Sequence, residues 1–189
     1  MGRDKDDFFG RKGGPQRRLL LLRHAKSAWN EAPAHDKNRA LAPRGRRAAA
    51  AMGVYLRDEG LAPDYVLCSA AKRAVQTWEA IAIYLPAPIK LVKDAKLYLA
   101  PPSVLLPRLH RAPDEARTVM MIGHEGGIDE LALQLVAPPN DDNLDALRRL
   151  NLKFPTGALA VIEFDAEHWA DVGAATGQLV TFLGPKDLV

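Results

Sequence analysis

The sequence has a single cysteine, Cys68, among its 189 residues. One cysteine cannot form an intramolecular disulfide, which excludes the disulfide-stapled class of small secreted domains and favours a reducing, cytoplasmic setting. No apolar run approaches the roughly 20 residues that a membrane-spanning helix needs, and we expect no secretory signal at the amino terminus. A chain of this length can bury one sizeable core, so we predict one globular domain.

Most of the chain also lacks an excess of charge. The formal net charge is +3, but residues 1–18 alone contain six Lys or Arg and three Asp, which leaves 20 basic and 20 acidic residues elsewhere. We therefore expect a disordered basic extension over residues 1–17 and a single folded domain over residues 18–189. A solvated tail is the simplest interpretation of this extension, so we expect neither nucleic acid nor a membrane as a partner.

Apolar runs and helical patterns alternate along the predicted domain. The first run, "RLLLL" from Arg18, is typical of a buried strand. Further strands are predicted from "DYVLC", "IKLV", "TVMMI", "ALAVIEF" and "QLVTFLG", and helices over 42–60, 70–84, 102–111 and 128–136. This alternation predicts an α/β fold in which helices cover both faces of a parallel or mixed sheet.

Polar side chains follow three of the predicted strands. Arg23 and His24 follow "LLLL", His124 follows "TVMMIG", and "DYVLC" leads through Ser69 into a helix that carries Arg73 in its first turn. The carboxyl ends of parallel strands meet at the edge of the sheet where open α/β folds bind ligands. If the three strands are parallel, two histidines and two arginines therefore converge there.

This set of residue types suits phosphoryl chemistry. Arginine supplies paired planar donors that stay charged at any working pH, and an anion with several oxygens needs donors from several directions. A neutral imidazole can attack phosphorus to form a phosphohistidine, whereas a second imidazole is more useful when protonated. Neither step requires a metal or another cofactor, and no cluster of His, Cys or Asp has metal-ligand spacing.

Each of these residues also has a structural interpretation when it is taken alone. Arg23 and Arg73 are equally well explained as surface arginines that bind carbonyls or carboxylates, and His124 as a cap of the helix that follows it. Cys68 is better explained as a small core residue than as a nucleophile. The functional prediction depends on the four residues jointly.

Four motifs in order resemble the histidine phosphatase superfamily, and specifically its short SixA-like phosphohistidine phosphatase branch. They are "LLRHAKSAWN", "CSAAKRAVQT", "MIGHEGG" and "FPTGALAVIEFD", and the likeness extends from about Leu19 to Asp165. The resemblance implies a three-layer α/β/α fold of the phosphoglycerate mutase type with a mostly parallel mixed sheet. It also implies a metal-independent phosphatase.

The same resemblance implies residue roles. His24 is the expected nucleophile, while Arg23, Arg73 and His124 are expected to bind the phosphoryl oxygens. Asn30 and Ser27 match positions after the Arg-His pair, and Glu125 follows the second histidine; we expect all three to contact substrate. The hydroxyl of Ser27 equally suits a cap of the next segment.

One departure from the family pattern affects the chemistry. Related sequences read Pro-Glu-Leu-Tyr where this chain has "AKLY", so Lys96 stands where a carboxylate is expected. A carboxylic acid is the natural proton donor to an alkoxide leaving group. Its absence favours phosphohistidine as the substrate, because a nitrogen leaving group can depart already protonated, unless Glu125 or Asp94 serves as the donor.

The sequence therefore predicts a cytoplasmic hydrolase of the SixA type, acting in signal transduction on phosphohistidine in proteins. The alternatives are a phosphatase for a small phosphate ester, such as a sugar phosphate or a nucleotide, and a non-catalytic phosphate-binding module. A mutase is a weaker possibility, because an open pocket is poorly suited to retaining a phosphoryl group.

Overall fold

The computed structural model of the protein describes residues 16–28, 35–138 and 143–188. Within these ranges the chain forms a six-stranded sheet and five α-helices. The strands are β1 (Gln16–Arg23), β2 (Tyr65–Ser69), β3 (Lys90–Asp94), β4 (Thr118–Gly123), β5 (Leu159–Asp165) and β6 (Gly177–Leu183). The helices are α1 (Pro43–Asp58), α2 (Lys72–Ala82), α3 (Pro102–Leu109), α4 (Ile128–Leu135) and α5 (Leu144–Leu152).

The strands are arranged in the order β3-β2-β4-β1-β5-β6. Strands β1, β2, β3 and β4 are mutually parallel, whereas β5 is antiparallel to both β1 and β6. The mostly parallel mixed sheet is therefore confirmed. Because β1 pairs with β4 in a register that places Arg23 opposite Gly123, the residues after these two strands leave the sheet side by side.

The four leucines of β1 divide between two hydrophobic layers. Successive side chains of a strand point to opposite faces of the sheet, so Leu20 and Leu22 pack against α1 and α2. Leu19 and Leu21 face the layer that contains α3, α4 and Leu150 of α5. All four leucines are at most 1% exposed. Helices on both faces give the predicted three-layer α/β/α architecture.

The observed elements differ from the prediction at several points. Strand β1 begins at Gln16, two residues before the predicted start of the domain, and the rest of the predicted extension lies outside the described residues. Helix α3 continues through Pro107 to Leu109, although a proline inside a helix commonly interrupts or ends it. The prediction omits α5. This nine-residue helix has only one buried residue, Leu150, so its sequence lacks the extended apolar periodicity that predicts a helix.

No helix in the described part of the chain is long and apolar enough to cross a membrane.

Candidate active site

The carboxyl ends of β1, β2 and β4 meet at one edge of the sheet. Arg23 ends β1, Ser69 ends β2 and Gly123 ends β4, and the three strands are adjacent and parallel as predicted. Helix α2 begins at Lys72, which places Arg73 in its first turn. The fold thus brings the two predicted histidines and Arg73 into direct contact.

His24 is buried, with 6% of its surface exposed. Its Nδ1 lies 2.8 Å from the carbonyl oxygen of Ala25, and its Nε2 accepts a hydrogen bond of 3.1 Å from Nε of Arg73. Arginine can only donate, so Nε2 carries the lone pair and Nδ1 carries the proton. Burial is the main cause that lowers the pKa of His24 to about 4, which keeps the imidazole neutral at physiological pH.

His124 lies beside His24, with ring centroids 5.1 Å apart. Its Nδ1 accepts from Nη2 of Arg73 at 3.2 Å, and its Nε2 donates to the hydroxyl of Ser69 at 2.8 Å. Its pKa is lowered to about 3, mainly by burial and in addition by the proximity of His24 and Arg73. The second histidine is therefore also neutral in the free protein, and a bound phosphate dianion would favour its protonation.

Thr77 ties α2 to the loop that holds His24. Its hydroxyl donates to the carbonyl of Arg73, one turn earlier in the helix, at 2.6 Å and accepts from the backbone N–H of Ala25 at 3.0 Å. Arg73 itself is 3% exposed. Thr77 therefore fixes the first turn of α2, which carries Arg73, against the loop that carries His24. Sequence analysis did not single out Thr77.

The motif "FPTG" is hydrogen-bonded to the end of β1 and to the loop that follows it. The N–H of Gly157 donates to the carbonyls of Arg23 and His24 at 3.0 and 3.1 Å, and the carbonyl of Phe154 accepts from Nη1 of Arg23 at 2.7 Å. Gly157 has a φ of 79°, a conformation that residues with a Cβ rarely adopt. The fourth motif is therefore part of the frame around the nucleophile candidate.

Glu125 lies against Arg23. Its two carboxylate oxygens accept from Nη1 and Nη2 of Arg23 at 2.9 and 2.8 Å, and its side chain is 65% exposed. The Nε of Arg23 is buried and has no hydrogen-bond partner among the described residues. Asp94, the other suggested proton donor, pairs with Arg108 at 2.7 Å and accepts from the N–H of Lys96. Within the described residues, no hydrogen bond or ion pair joins Asp94 to either histidine.

Two residues that sequence analysis missed complete the cluster. The hydroxyl of Tyr98 donates to Oδ2 of Asp36 at 2.6 Å, and Arg73 donates to the same oxygen through Nη2 at 3.0 Å. Arg73 also donates through Nη1 to the backbone carbonyl of Asp36 at 2.9 Å. The ring of Tyr98 lies 5.2 Å from that of His124. Asp36 begins a short 3-10 helix before α1, and Tyr98 follows the 3-10 helix after β3; nothing in their spacing along the sequence indicated a contact with Arg73.

The Tyr98 hydroxyl is the main cause that lowers the pKa of Asp36, and the charges of Arg73 and Arg39 act in the same direction. Conversely, this hydrogen bond to Asp36 is the main cause that raises the pKa of Tyr98. The pair is thus an ionised carboxylate and a neutral phenol at physiological pH.

The remaining predicted site residues lie farther from the histidines or outside the described residues. The hydroxyl of Ser27 is buried and accepts from Nη2 of Arg39 at 2.6 Å, and Arg39 in turn pairs with Oδ1 of Asp36 at 3.1 Å. Lys96 is exposed and lies in a short 3-10 helix directly before Tyr98. Asn30 lies outside the described residues. The described part of the chain contains no group of three or more His, Cys, Asp or Glu placed to hold a metal ion.

Comparison with known proteins gives a consistent result. The model of the histidine phosphatase superfamily, branch 1, matches residues 19–97. An uncharacterised protein of Mycobacterium tuberculosis is 39% identical over 165 residues, which cover 87% of this chain and all of that protein.

Among solved structures, a candidate phosphohistidine phosphatase SixA from Nakamurella multipartitia is 30% identical with a TM-score of 0.79, covering 92% of this chain and 99% of its own. A second candidate SixA, from Agrobacterium tumefaciens, is 28% identical with a TM-score of 0.71 over 89% and 98% of the two chains.

Proposed function

Since this chain belongs to the histidine phosphatase superfamily, we propose that it is a phosphatase that works through a covalent phosphohistidine at His24. The observation that carries the proposal is the state of His24. Its imidazole is buried, its pKa is lowered to about 4, and its Nε2 carries an unprotonated lone pair that accepts from Nε of the buried Arg73 at 3.1 Å. A neutral nucleophile beside a permanent positive charge is what attack on a phosphoryl group requires.

The first step transfers the phosphoryl group to the protein. The substrate's phosphoryl oxygens replace the side chains that now accept from Arg73, and they also take donors from Arg23 and His124. Nε2 of His24 forms a bond to phosphorus while the bond from phosphorus to the leaving atom breaks. The charge that spreads over the equatorial oxygens is balanced by the two guanidinium groups, which supply most of the acceleration in phosphoryl transfer.

We propose phosphohistidine in a partner protein as the substrate, and the acids around the site support this choice. Position 96 is a lysine, Glu125 and Asp94 are each paired with an arginine, and the pKa of Asp36 is lowered. No side chain among these is poised to protonate an alkoxide. A phosphohistidine needs no such acid, because its imidazole can leave protonated at the other nitrogen.

The structural relatives support the same substrate class. The proteins from Nakamurella multipartitia and Agrobacterium tumefaciens are candidate phosphohistidine phosphatases. Phosphatases named for small esters, such as a mycobacterial glucosyl-3-phosphoglycerate phosphatase, are 16% identical to this chain and share its fold alone. A role in cytoplasmic signal transduction is part of the proposal, because phosphohistidine in proteins is an intermediate of phosphorelay reactions.

The proposal is tested by trapping the intermediate. The protein is mixed briefly with a phosphohistidine peptide, quenched in alkali, in which phosphohistidine survives, and examined by mass spectrometry. We expect a transient phosphoryl adduct on His24 together with phosphate release. His24→Ala removes the nucleophile and should abolish both, whereas His168→Ala, a matched change of an exposed histidine at the opposite edge of the sheet, should leave both unchanged.

Three outcomes would contradict this assignment. Bound peptide without adduct or phosphate release would make the protein a phosphate-binding module. Adduct formation with a clear preference for a sugar phosphate or a nucleotide over the peptide would assign it to the ester phosphatases. An adduct that survives in His24→Ala would place the nucleophile elsewhere.

A further inference from the structure

Hydrolysis of the phosphorylated His24 requires a base, and the residue at the position where the family has its acid is a lysine. We propose that Asp36 is the general base of this second step and takes the proton from the water that hydrolyses phospho-His24. The inference rests on the proposed function, because it concerns the intermediate that this function requires. It assigns a catalytic role to a residue outside the four motifs.

The contacts of Asp36 single it out among the carboxylates. In the described residues it is the only acidic side chain that pairs with Arg73, and the same guanidinium contacts Nε2 of His24 and Nδ1 of His124. Glu125 pairs with Arg23 and Asp94 pairs with Arg108. A phosphoryl group on Nε2 that takes donors from Arg73 would therefore lie next to the Asp36 carboxylate.

The exposure of Asp36 suits exchange with water. Its side chain is 44% exposed, whereas His24 and His124 are 6% and 3% exposed. A base of hydrolysis must contact a water on one side and release the proton to solvent afterwards. Asp36 lies at the boundary between the buried cluster and the solvent, which meets both requirements.

The step balances as follows. The oxygen of a water molecule bonds to phosphorus, and the bond from phosphorus to Nε2 breaks with its electron pair returning to the imidazole of His24. One proton of the water passes to a carboxylate oxygen of Asp36. The products are inorganic phosphate and the neutral His24 with which the cycle began, and Asp36 then loses its proton to solvent.

The charges around Asp36 change when the phosphohistidine forms, and this change makes Asp36 a stronger base in the second step. In the free protein the Tyr98 hydroxyl and Arg73 hold the carboxylate in its ionised form, so it is ready to accept a proton. A phosphoryl group that displaces it from Arg73 places negative charge nearby, and a like charge raises the pKa of a carboxylate. The base thus becomes stronger when the intermediate forms, which is the condition for efficient proton transfer.

A positioning role for Asp36 is the alternative explanation, and its backbone helps to separate the two. The carbonyl of Asp36 also accepts from Arg73, and Asp36→Asn keeps both this bond and a side-chain oxygen for Tyr98. The substitution therefore removes the basic oxygen while retaining the shape around Arg73. Asp58→Asn is the matched control, because Asp58 is exposed and pairs only locally with Arg57.

The experiment follows formation and loss of the adduct by alkaline quench after a single exposure to phosphohistidine peptide. We expect Asp36→Asn to form the adduct at close to the wild-type rate and to hydrolyse it about 100-fold more slowly or worse, as loss of a general base predicts. The adduct should accumulate in this variant and not in Asp58→Asn. Formate, a small carboxylate, should restore hydrolysis in Asp36→Ala.

The outcomes distinguish failure of the inference from failure of the proposed function. If the wild-type protein forms no adduct, the proposed function fails and the inference falls with it. If the wild type forms the adduct and Asp36→Asn hydrolyses it at the wild-type rate, the inference alone is overturned. Slow formation of the adduct in Asp36→Asn, with no rescue of Asp36→Ala by formate, would instead make Asp36 a positioning residue for Arg73.

Discussion

The two edges of the sheet each hold a buried arginine beside an aromatic ring. At the carboxyl edge, Arg73 is 3% exposed and lies 5.7 Å from the centre of the Tyr98 ring. At the opposite edge, Arg17 is 4% exposed and lies 5.8 Å from the centre of the Trp169 ring. The two environments are equally buried, so burial alone does not distinguish a functional arginine from a structural one.

The partners of the two arginines do distinguish them. Arg17 donates to the backbone carbonyls of Asp114, Ala116 and Glu167, and its guanidinium lies 3.6 Å from the Asp114 carboxylate, a longer contact at the surface. The fold fixes the positions of these backbone carbonyls, and the hydrogen bonds connect β1 to the chain segments that contain them. Arg73 donates to three side chains as well as to one carbonyl. Side-chain acceptors can be displaced by a ligand, and backbone carbonyls of a packed edge cannot.

The histidines of the two edges differ in the same way. His168 is exposed and its Nδ1 lies 2.8 Å from Asp114, which is the main cause that raises its pKa. His24 is buried, which is the main cause that lowers its pKa, and no carboxylate among the described residues pairs with it. A histidine paired with a carboxylate at the surface stabilises the fold as a cation, whereas a buried histidine among arginines is kept neutral and nucleophilic.

The largest effect should come from changing each arginine to lysine. Arg73→Lys keeps the charge but loses the planar fork that contacts both histidines, and we expect kcat/KM for a phosphohistidine peptide to fall by about 100-fold or more. Arg17→Lys should leave kcat/KM unchanged and lower Tm by about 5 °C or more, since buried carbonyls lose charged donors. An activity loss in Arg17→Lys as large as that in Arg73→Lys would show that the two arginines do not differ in function.

The pH dependence of stability should have opposite signs at the two edges. The pKa of His24 is lowered from 6.5 to about 4, so the unfolded chain takes up a proton before the folded protein does as the pH falls between these values. Stability from His24 is complete above pH 6.5 and decreases as the pH falls toward 4, by about 3 kcal/mol. The raised pKa of His168 instead contributes stability below pH 6.5 that is lost as the pH rises through its folded value.

Thermal unfolding between pH 7.5 and 4.5 checks this prediction. His24→Gln should lose less stability than the wild type as the pH falls, and His168→Gln should lose more. Equal pH dependence in the wild type and His24→Gln would show that the folded protein does not hold this imidazole in its neutral form.

The smallest effect concerns Glu125, whose carboxylate accepts from Arg23 at 2.9 and 2.8 Å. Glu125→Gln removes the charge that competes with phosphate for this arginine, and exposed ion pairs of this kind contribute about 0.2–1 kcal/mol. We expect the inhibition constant of inorganic phosphate to fall by about 3-fold. Glu130→Gln, which changes an exposed carboxylate in the first turn of α4, is the control. Weaker phosphate inhibition in Glu125→Gln would instead assign Glu125 to substrate binding.

The sequence by itself determined the order of the elements and the edge at which the polar residues meet. Arg23, His24 and His124 follow short, largely apolar runs that are typical of buried strands, so the convergence of their ends could be predicted on the condition that the strands are parallel. Motif resemblance then indicated the chemistry. These inferences need only the order of residue types along the chain.

Only the tertiary structure decided how the site is charged and which distant residues enter it. Asp36 and Tyr98 are 62 positions apart and meet at Arg73, and Glu125 pairs with Arg23 across 102 positions. Spacing along the chain carries no information about such contacts, because they depend on how loops after different strands pack. The neutral state of both histidines has the same origin, since burial, which lowers their pKa values, is a property of the folded protein and not of the sequence around each residue.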